Sequence, residues 1–504
     1  MEAEWFLYLF LIADVYVLCT ALASHQPFWF DELFTFYMTR LPSMSAVWAA
    51  LKDGADLNPP LFYVATRFSQ SLFGSSEWVI RLPAMIGFLV MMFGLYIFVS
   101  RYGSRLGGMV AMTFPLVTGA YSYAHEGRAY GMELGFIAIA AVCWQAATRG
   151  ERRRLTLPAL SLCLGGALLT HCYAVLAVSS FGFAEAARTL MRKKFDWPMW
   201  VALAIPCFAV LTYLPMMPAV TGGDPFDNPV YQVTARASYE MILAPAIWLL
   251  LLVLAVLALL GARDPRSAGG GAEKIPFHEM VLAAGFLVAP LLGVALASTV
   301  TKIFMARYGL AAILGFSMAL GTLVTKRTAL HPGTAVLVIG ILSSGFLWIP
   351  VSAMLPRSDA KAAAEKDFQL ADLDPTMPIV IANGLLFLEA DHYESKQITD
   401  RLFFLIDRNT AIRYTGTPGF EQFRGLTKWF PIRSHLEDYH QFLKIHPAFY
   451  ILSVYDSPLD WTMRKMREDG LPLAFVGQFN SRQGTATVAK VARSQPAEPV
   501  LAHP

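Results

Sequence analysis

Residues 5–32 read WFLYLFLIADVYVLCTALASHQPFWFDE. The run from Trp5 to Ala23 carries one charged residue, Asp14, and has the length that crosses the hydrocarbon core of a bilayer as a helix. It is followed by the aromatic stretch Phe28-Trp29-Phe30 and at once by two adjacent carboxylates, Asp31 and Glu32. An acidic pair at a membrane surface is a place for a general base, so the search for chemistry starts there. Met1-Glu2-Ala3-Glu4 supplies no basic n-region, and no small-residue cleavage site follows a short core. The expectation is an uncleaved first span.

The rest of the chain extends this membrane pattern. Of its 504 residues, 56% are hydrophobic and only 15% charged, outside the usual soluble range. The net charge of +3 is spread through short loops and does not form one basic face, which argues against nucleic acid as a partner. Cys19, Cys143, Cys163 and Cys207 fall within apolar runs and Cys172 at the edge of one, so neither a disulfide framework nor a cysteine metal site is indicated.

Apolar runs at 5–23, 78–99, 105–122, 129–148, 155–171, 173–190, 198–218, 241–261, 277–299, 307–325 and 332–354 predict a polytopic α-helical membrane protein with about eleven transmembrane helices. Arg101 and Arg105, Arg149 with Arg152 to Arg154, Arg192 to Lys194, Arg263 and Arg266, and Lys326 and Arg327 all fall on one side in this count, which marks that side as cytoplasmic. The opposite, exoplasmic face receives the loop 24–77, the turns around Arg128, His171 and Arg307, the loop 219–240 and everything after about residue 355.

Loop 24–77 is too long for a simple connector. Met44, Val47, Trp48 and Leu51 recur at the spacing of an amphipathic helix, expected to lie on the bilayer surface. Leu33 to Met38 predicts another short helix beginning just after Asp31. Residues 1–355 thus form a membrane module. From 356 to 493 a polar region alternates β-type runs (Ile379 to Ala382, Phe403 to Ile406, Phe449 to Val454, Ala474 to Phe479, Thr485 to Val491) with helical ones (Leu385 to Tyr393, Ser434 to His446, Leu459 to Asp469), an exoplasmic C-terminal α/β domain. It has no GxGxxG or Walker-type loop. Gly269-Gly270-Gly271 reads as a flexible linker, and 494–504 as a disordered tail.

Polar residues converge on the exoplasmic face from separate loops: Asp31 and Glu32, Asp56 and Asn58, Glu126 and Arg128 beside Tyr130, His171, and Arg307 with Tyr308. Two arginines and several carboxylates at one face suit an anionic ligand with a base beside it, because guanidinium presents a planar fork of donors that stays charged. Each residue also has a plainer role. Asp31 can cap the helix after it, Asp56 can bind its own backbone in a turn before Pro59-Pro60, Arg128 and Arg307 can snorkel to headgroups, and His171 can be a polar helix end. Asp14 either pairs in the bundle or lines a pathway.

Trp29-Phe30-Asp31-Glu32 after the first span, Asn58-Pro59-Pro60-Leu61-Phe62-Tyr63 with Arg81-Leu82-Pro83, Glu126-Gly127-Arg128-Ala129-Tyr130, Thr170-His171-Cys172-Tyr173 and Arg307-Tyr308 stand in the order seen in the GT-C superfamily of polytopic glycosyltransferases. Over residues 25–325 the chain resembles in particular bacterial members near the protein O-mannosyltransferases and the lipid A aminoarabinose transferases. The resemblance implies an enzyme of the inner (plasma) membrane that moves a sugar from a polyprenyl-phosphate donor to an acceptor hydroxyl of a glycolipid, polysaccharide or protein, on the periplasmic or extracellular side. By that resemblance Asp31, with Glu32 beside it, is the general base. Arg128 and Arg307 hold the donor phosphate, and Asp56, Asn58, Tyr63, Tyr130, His171 and Tyr308 complete the donor site. Glu32, Asp56 and His171 either orient acceptor or sugar or share a divalent metal cation. Two positions depart from the pattern. Asn58 replaces a histidine common before the proline pair and is a poorer metal ligand, and Gly127 loosens the backbone before Arg128. The alternative function is a transporter or flippase of an anionic polyprenyl-linked lipid, disfavoured because the polar residues gather on one face and no inverted repeat is visible.

Overall fold

The computed structural model describes residues 12–14, 16–17, 20–21, 24–101, 105–216, 234–261, 275–301, 303–328, 338, 340–345, 370–454, 457, 459–481 and 484–492. Contacts divide these into two units, one of helices and one built around a sheet, with Phe28–Met38 belonging to the second.

The helical unit contains α2 (Met44–Lys52), α3 (Leu61–Phe73), α4 (Glu77–Ser100), α5 (Arg105–Thr113), α6 (Tyr130–Thr148), α7 (Arg153–Thr170), α8 (Ala174–Arg192), α9 (Trp197–Ala204), α10 (Ala235–Leu243), α11 (Ile247–Gly261), α12 (Phe277–Leu296) and α13 (Ala312–Thr328). Among the described residues six stretches are long and apolar enough to cross a membrane: Glu77–Ser100, Tyr130–Thr148, Ala174–Arg192, Trp197–Met216, Ala235–Ala258 and Phe277–Thr301. The protein is therefore a multi-pass membrane protein, and the expected count of about eleven is not reached in the described part. The apolar helices at Arg105–Val117 and Ala312–Thr325 are shorter than a full span. The expected spans 5–23 and 332–354 lie largely outside the described residues, as do the glycine linker and the tail. Asp14 is exposed.

Helices α4 and α6 show why a long apolar run packs with one neighbour and not another. Apolar association gains nothing over lipid inside a bilayer, so close backbone approach of small residues supplies the contact. Gly131 and Gly135 lie one turn apart on α6. A Cβ on Gly131 would come to 2.3 Å from the Ala84 carbonyl oxygen, and one on Gly135 to 2.4 Å from that of Gly87. Gly94 continues the seam against Ala138.

At the end of this unit from which Tyr130 starts α6, two arginines hold the segments 24–27 and 39–41. Arg81, 2% exposed, donates to the carbonyls of Ser24 (2.6 Å), Gln26 (2.7 Å) and Pro27 (3.3 Å). Arg67 donates to those of Thr39 and Leu41. Of the predicted stripe on helix α2, Val47 and Leu51 are buried and Met44 and Trp48 half-buried, and Ser43 caps its first turn by accepting from the Ala46 N–H at 3.1 Å.

The second unit is a six-stranded sheet of order β3-β2-β1-β4-β6-β5. Its strands are β1 (Ile379–Ile381), β2 (Leu402–Ile406), β3 (His435–Asp438), β4 (Ala448–Val454), β5 (Leu473–Ser481) and β6 (Gly484–Ala492). The first four pair in parallel, with Ile379 beside both Leu402 and Tyr450, and β6 and β5 close one side antiparallel. Helices α14 (Gly384–Tyr393), α15 (Arg408–Thr415), α16 (Tyr439–Ile445) and α17 (Thr462–Glu468) connect the strands. Strands β1 and β2 are wholly buried, as central parallel strands are. The predicted helix Ser434 to His446 is corrected: His435–Asp438 forms the edge strand β3, and only Tyr439–Ile445 is helical. Asp438 caps that helix, accepting from the N–H groups of His440 and Gln441.

Helix α1 (Phe30–Arg40) starts one residue before Asp31, so both acids stand in its first turn. There the positive end of the helix dipole favours a carboxylate.

Candidate active site

Within the helical unit a cavity of about 410 Å³ opens among the loop before α3, the start of α6, the turn between α7 and α8, and the segment 296–308. Asp56, Asn58, Arg128, Tyr130, His171, Arg307 and Tyr308, seven of the residues singled out by sequence, line it together. Tyr63 stands behind this wall and donates to Asp56. Asp31 and Glu32 belong to the other unit.

Asp56 is the hub. Its Oδ2 accepts from Arg128 Nη1 at 2.6 Å and from the Tyr63 hydroxyl at 2.7 Å. Its Oδ1 accepts from Arg128 Nη2 at 3.2 Å, from the Leu57 N–H at 2.7 Å and from Asn58 Nδ2 at 3.3 Å. The turn role and the pairing role predicted separately for this residue are thus both filled. Burial by itself raises a carboxyl's pKa, but the charge and the two hydrogen bonds of Arg128, with those of Tyr63 and Leu57, outweigh it and hold Asp56 below its ordinary value. Burial and the neighbouring carboxylate push the Tyr63 phenol up, which keeps it a donor. Arg128 reaches this place because the Glu126 carbonyl accepts from its N–H at 2.7 Å, folding the loop back before α6 begins.

An aromatic wall faces this polar end. The His171 ring lies 5.1 Å from that of Tyr130 and 5.3 Å from that of Tyr308, and Tyr173 stacks on Tyr308 at 4.6 Å. The Tyr173 hydroxyl is held by Thr301 Oγ1 and the Ile303 carbonyl, which fixes the segment that presents Arg307. Val175, Val210, Leu214, Leu296 and Val300 finish the lining with aliphatic surface. The cavity therefore joins two guanidinium groups and one carboxylate to an apolar wall, an arrangement suited to an anionic headgroup with a hydrocarbon chain.

Glu133 and Tyr213 belong to this site and were not singled out by sequence, whereas Cys172 and Tyr173 entered only as part of the His171 motif. Glu133, one turn into α6, places Oε2 3.3 Å from His171 Nδ1. A carboxylate in the first turn of an apolar run was its visible signal. Cys172 donates through Sγ to the Leu57 carbonyl at 3.4 Å, joining the two loops that carry Asp56 and His171.

Both Asp56 oxygens are engaged by donors, and among the described residues no group of three or more His, Cys, Asp or Glu is arranged to hold a divalent metal. No chemical step is routed through a metal here.

Residues 57–213 match the model of the dolichyl-phosphate-mannose-protein mannosyltransferase family. This stretch supplies Asn58, Tyr63, Arg128, Tyr130 and His171. No curated protein matches the sequence. Among solved structures, ArnT from Cupriavidus metallidurans bound to undecaprenyl phosphate aligns over 97% of this chain and 98% of its own, with 15% identity and a TM-score of 0.42. Its apo form aligns over the same shares with 14% identity and a TM-score of 0.38. The Archaeoglobus fulgidus oligosaccharyltransferase in complex with zinc and sulfate aligns over 98% of this chain and 74% of its own, with 11% identity and a TM-score of 0.40.

Proposed function

We infer that this chain, a relative of the GT-C membrane glycosyltransferases by its family match and the order of its motifs, moves a sugar from a polyprenyl-phosphate-linked donor to an acceptor hydroxyl with inversion at the anomeric carbon. The observation that carries this reading is the cavity in which Arg128 and Arg307 accompany Asp56 at the polar end of an aliphatic and aromatic lining. A phosphate on a long isoprenoid needs both parts. The guanidiniums neutralise charge that grows on the phosphate as the glycosidic bond breaks, and the apolar wall takes the first carbons of the tail.

Asp31 is the general base. Its carboxylate takes the proton of the acceptor hydroxyl as that oxygen attacks the anomeric carbon, and the polyprenyl phosphate leaves with the electron pair of the broken C–O bond. Asp56 keeps Arg128 aimed. His171 and the tyrosines around it offer ring faces and hydrogen bonds to the sugar. The acceptor is a hydroxyl of a glycolipid, polysaccharide or protein, and the reaction takes place at the periplasmic face of the inner membrane.

The test is transfer from a radiolabelled polyprenyl-phosphate sugar pool into membranes that hold either the wild-type chain or Asp31→Asn, with lipid, glycan and protein products separated. Loss of the base costs about 10²- to 10⁴-fold in rate while the shape of the side chain is kept. An unchanged rate in folded Asp31→Asn removes the base assignment. No labelled product from the wild type across several sugars removes the enzyme.

A further inference from the structure

Helix α1, which carries Asp31, is bound by side chains of the sheet unit at the turn where the acid stands. The Phe30 N–H donates to Glu389 Oε1 at 3.0 Å, the Phe28 N–H donates to the Tyr393 hydroxyl, and the Trp29 N–H turns back to Glu32 Oε2 at 3.3 Å. The first N–H groups of a helix have no partner inside it; here that of Phe30 is taken up by Glu389, and those of the two residues leading into the helix, Phe28 and Trp29, by Tyr393 and by the second acid of the pair. About two turns further on, the Tyr37 hydroxyl meets His392 Nδ1 at 2.8 Å. Glu389, His392 and Tyr393 are neighbours on the last turn of α14. Ring contacts fasten the flank of the same helix: Phe30 lies 5.8 Å from Phe420, Phe34 5.3 Å from Phe430, and Phe36 5.0 Å from His392.

Resting on the assignment of Asp31 as base, we infer that Glu389 and Tyr393, with His392 behind them, are positioning residues for the transfer, holding the first turn of α1 and with it the Asp31 carboxylate. Aromatic contact alone lets a helix slide or turn by a fraction of an ångström, whereas hydrogen bonds to the N–H groups just before Asp31 fix both. Helix α14 then serves the transfer through the helix that carries Asp31, without touching the reacting atoms itself. The requirement is geometric, since a base displaced by about 1 Å can lose about a hundredfold in rate.

The setting makes the inference testable without unfolding the chain. Tyr393 is 45% exposed and Glu389 is only half-buried, so neither anchors the core of its domain. The variants are Glu389→Ala, Glu389→Gln, Tyr393→Phe and the double variant Glu389→Ala with Tyr393→Phe, each assayed as full-length protein beside Asp31→Asn. The probe for the donor site is undecaprenyl phosphate. The double variant is expected to lose about tenfold to a hundredfold in kcat, with its melting temperature and its affinity for undecaprenyl phosphate unchanged. Glu389→Gln, which keeps an acceptor for the Phe30 N–H, is expected to return to within about twofold of wild type. Full kcat in the double variant while Asp31→Asn is inactive overturns the inference and leaves the base assignment standing. A parallel fall in kcat and in undecaprenyl phosphate affinity, or a failure of Glu389→Gln to rescue, also overturns it, because either marks a structural role. Normal transfer by Asp31→Asn overturns the base assignment and this inference together.

Discussion

The helical unit buries charge at both ends of α6, and the two ends are built differently. At the Tyr130 end, Asp56 and Arg128 border an open cavity that also receives Arg307, so guanidinium outnumbers carboxylate along its lining. At the Thr148 end the charges pair with one another across helices. Glu185 accepts from Trp144 Nε1 at 3.3 Å and from Arg188 at 2.8 and 2.6 Å. Arg188 and Arg153 both hold Asp196, and Gln145 and Arg149 hold Glu279. This second cluster ties α6, α7, α8, α9 and α12 together. Charges paired across five helices fit a structural ion network, and two guanidiniums beside a cavity fit the proposed donor site.

Breaking the paired cluster gives the largest change in stability. Glu185→Ala leaves Arg188 buried with half its partners, and the loss of one member of a buried pair costs about 3–5 kcal/mol. Thermal unfolding of the purified protein in detergent reads this directly, and the molecules that remain folded should bind undecaprenyl phosphate as wild type does. Normal melting with weakened binding reverses the roles given to the two ends. Arg307→Ala sharpens the contrast from the other side. A charge-assisted hydrogen bond is worth about 1.5–3 kcal/mol, so donor affinity should fall about 10- to 150-fold, while acceptor affinity and melting temperature move little. Equal loss of donor and acceptor binding makes Arg307 a structural anchor.

The two clusters were not equally legible in the sequence. Asp56, Arg128, His171 and Arg307 stand in turns between apolar runs, where charge is conspicuous, and the fold gathers them at one cavity. Glu185 and Glu279 lie inside runs read only for hydropathy, and their partners come from other helices, which periodicity does not report. The same limit explains the sheet unit. Strands β1, β2 and β4 announce themselves as short apolar runs, but β3 has the pattern His-Leu-Glu-Asp on a sheet edge, where one flank needs no apolar cover and the signal disappears. Helix α1 was visible as a helix. That its first turn is held by Glu389 and Tyr393 was not, because 359 and 365 residues separate the partners.

Asp56→Asn probes the imbalance of the cavity itself. The amide oxygen still accepts from Arg128, so the shape is kept, while one negative charge is removed beside two guanidiniums. Affinity for undecaprenyl phosphate should rise by about three- to tenfold, a difference of about 1 kcal/mol, in an isothermal or fluorescence titration. Weaker binding means that the charge of Asp56 is needed to hold Arg128 in place and that geometry, not net charge, governs the site.

Acid gives the smallest effect and compares both ends in one experiment. Asp56 is held below its ordinary value of 3.8 despite burial. At the other end burial pushes Asp196 up, but hydrogen bonds and charge from Arg153 and Arg188 outweigh it and hold the carboxyl at about 2. A carboxylate whose pKa is lower in the folded chain than in the unfolded one contributes its full stabilisation above the unfolded pKa and loses it as pH falls through the folded one. Melting temperature should therefore be insensitive to these two groups above about pH 4 and decline from there towards pH 2. The Asp56→Asn and Asp196→Asn variants should each show a shallower decline over that window. Because Asp56 borders a cavity and Asp196 sits in a paired network, only Asp56→Asn should also flatten the pH dependence of undecaprenyl phosphate binding. An equal flattening by Asp196→Asn shows that the two ends of α6 are coupled, and the division between a structural and a binding cluster then fails.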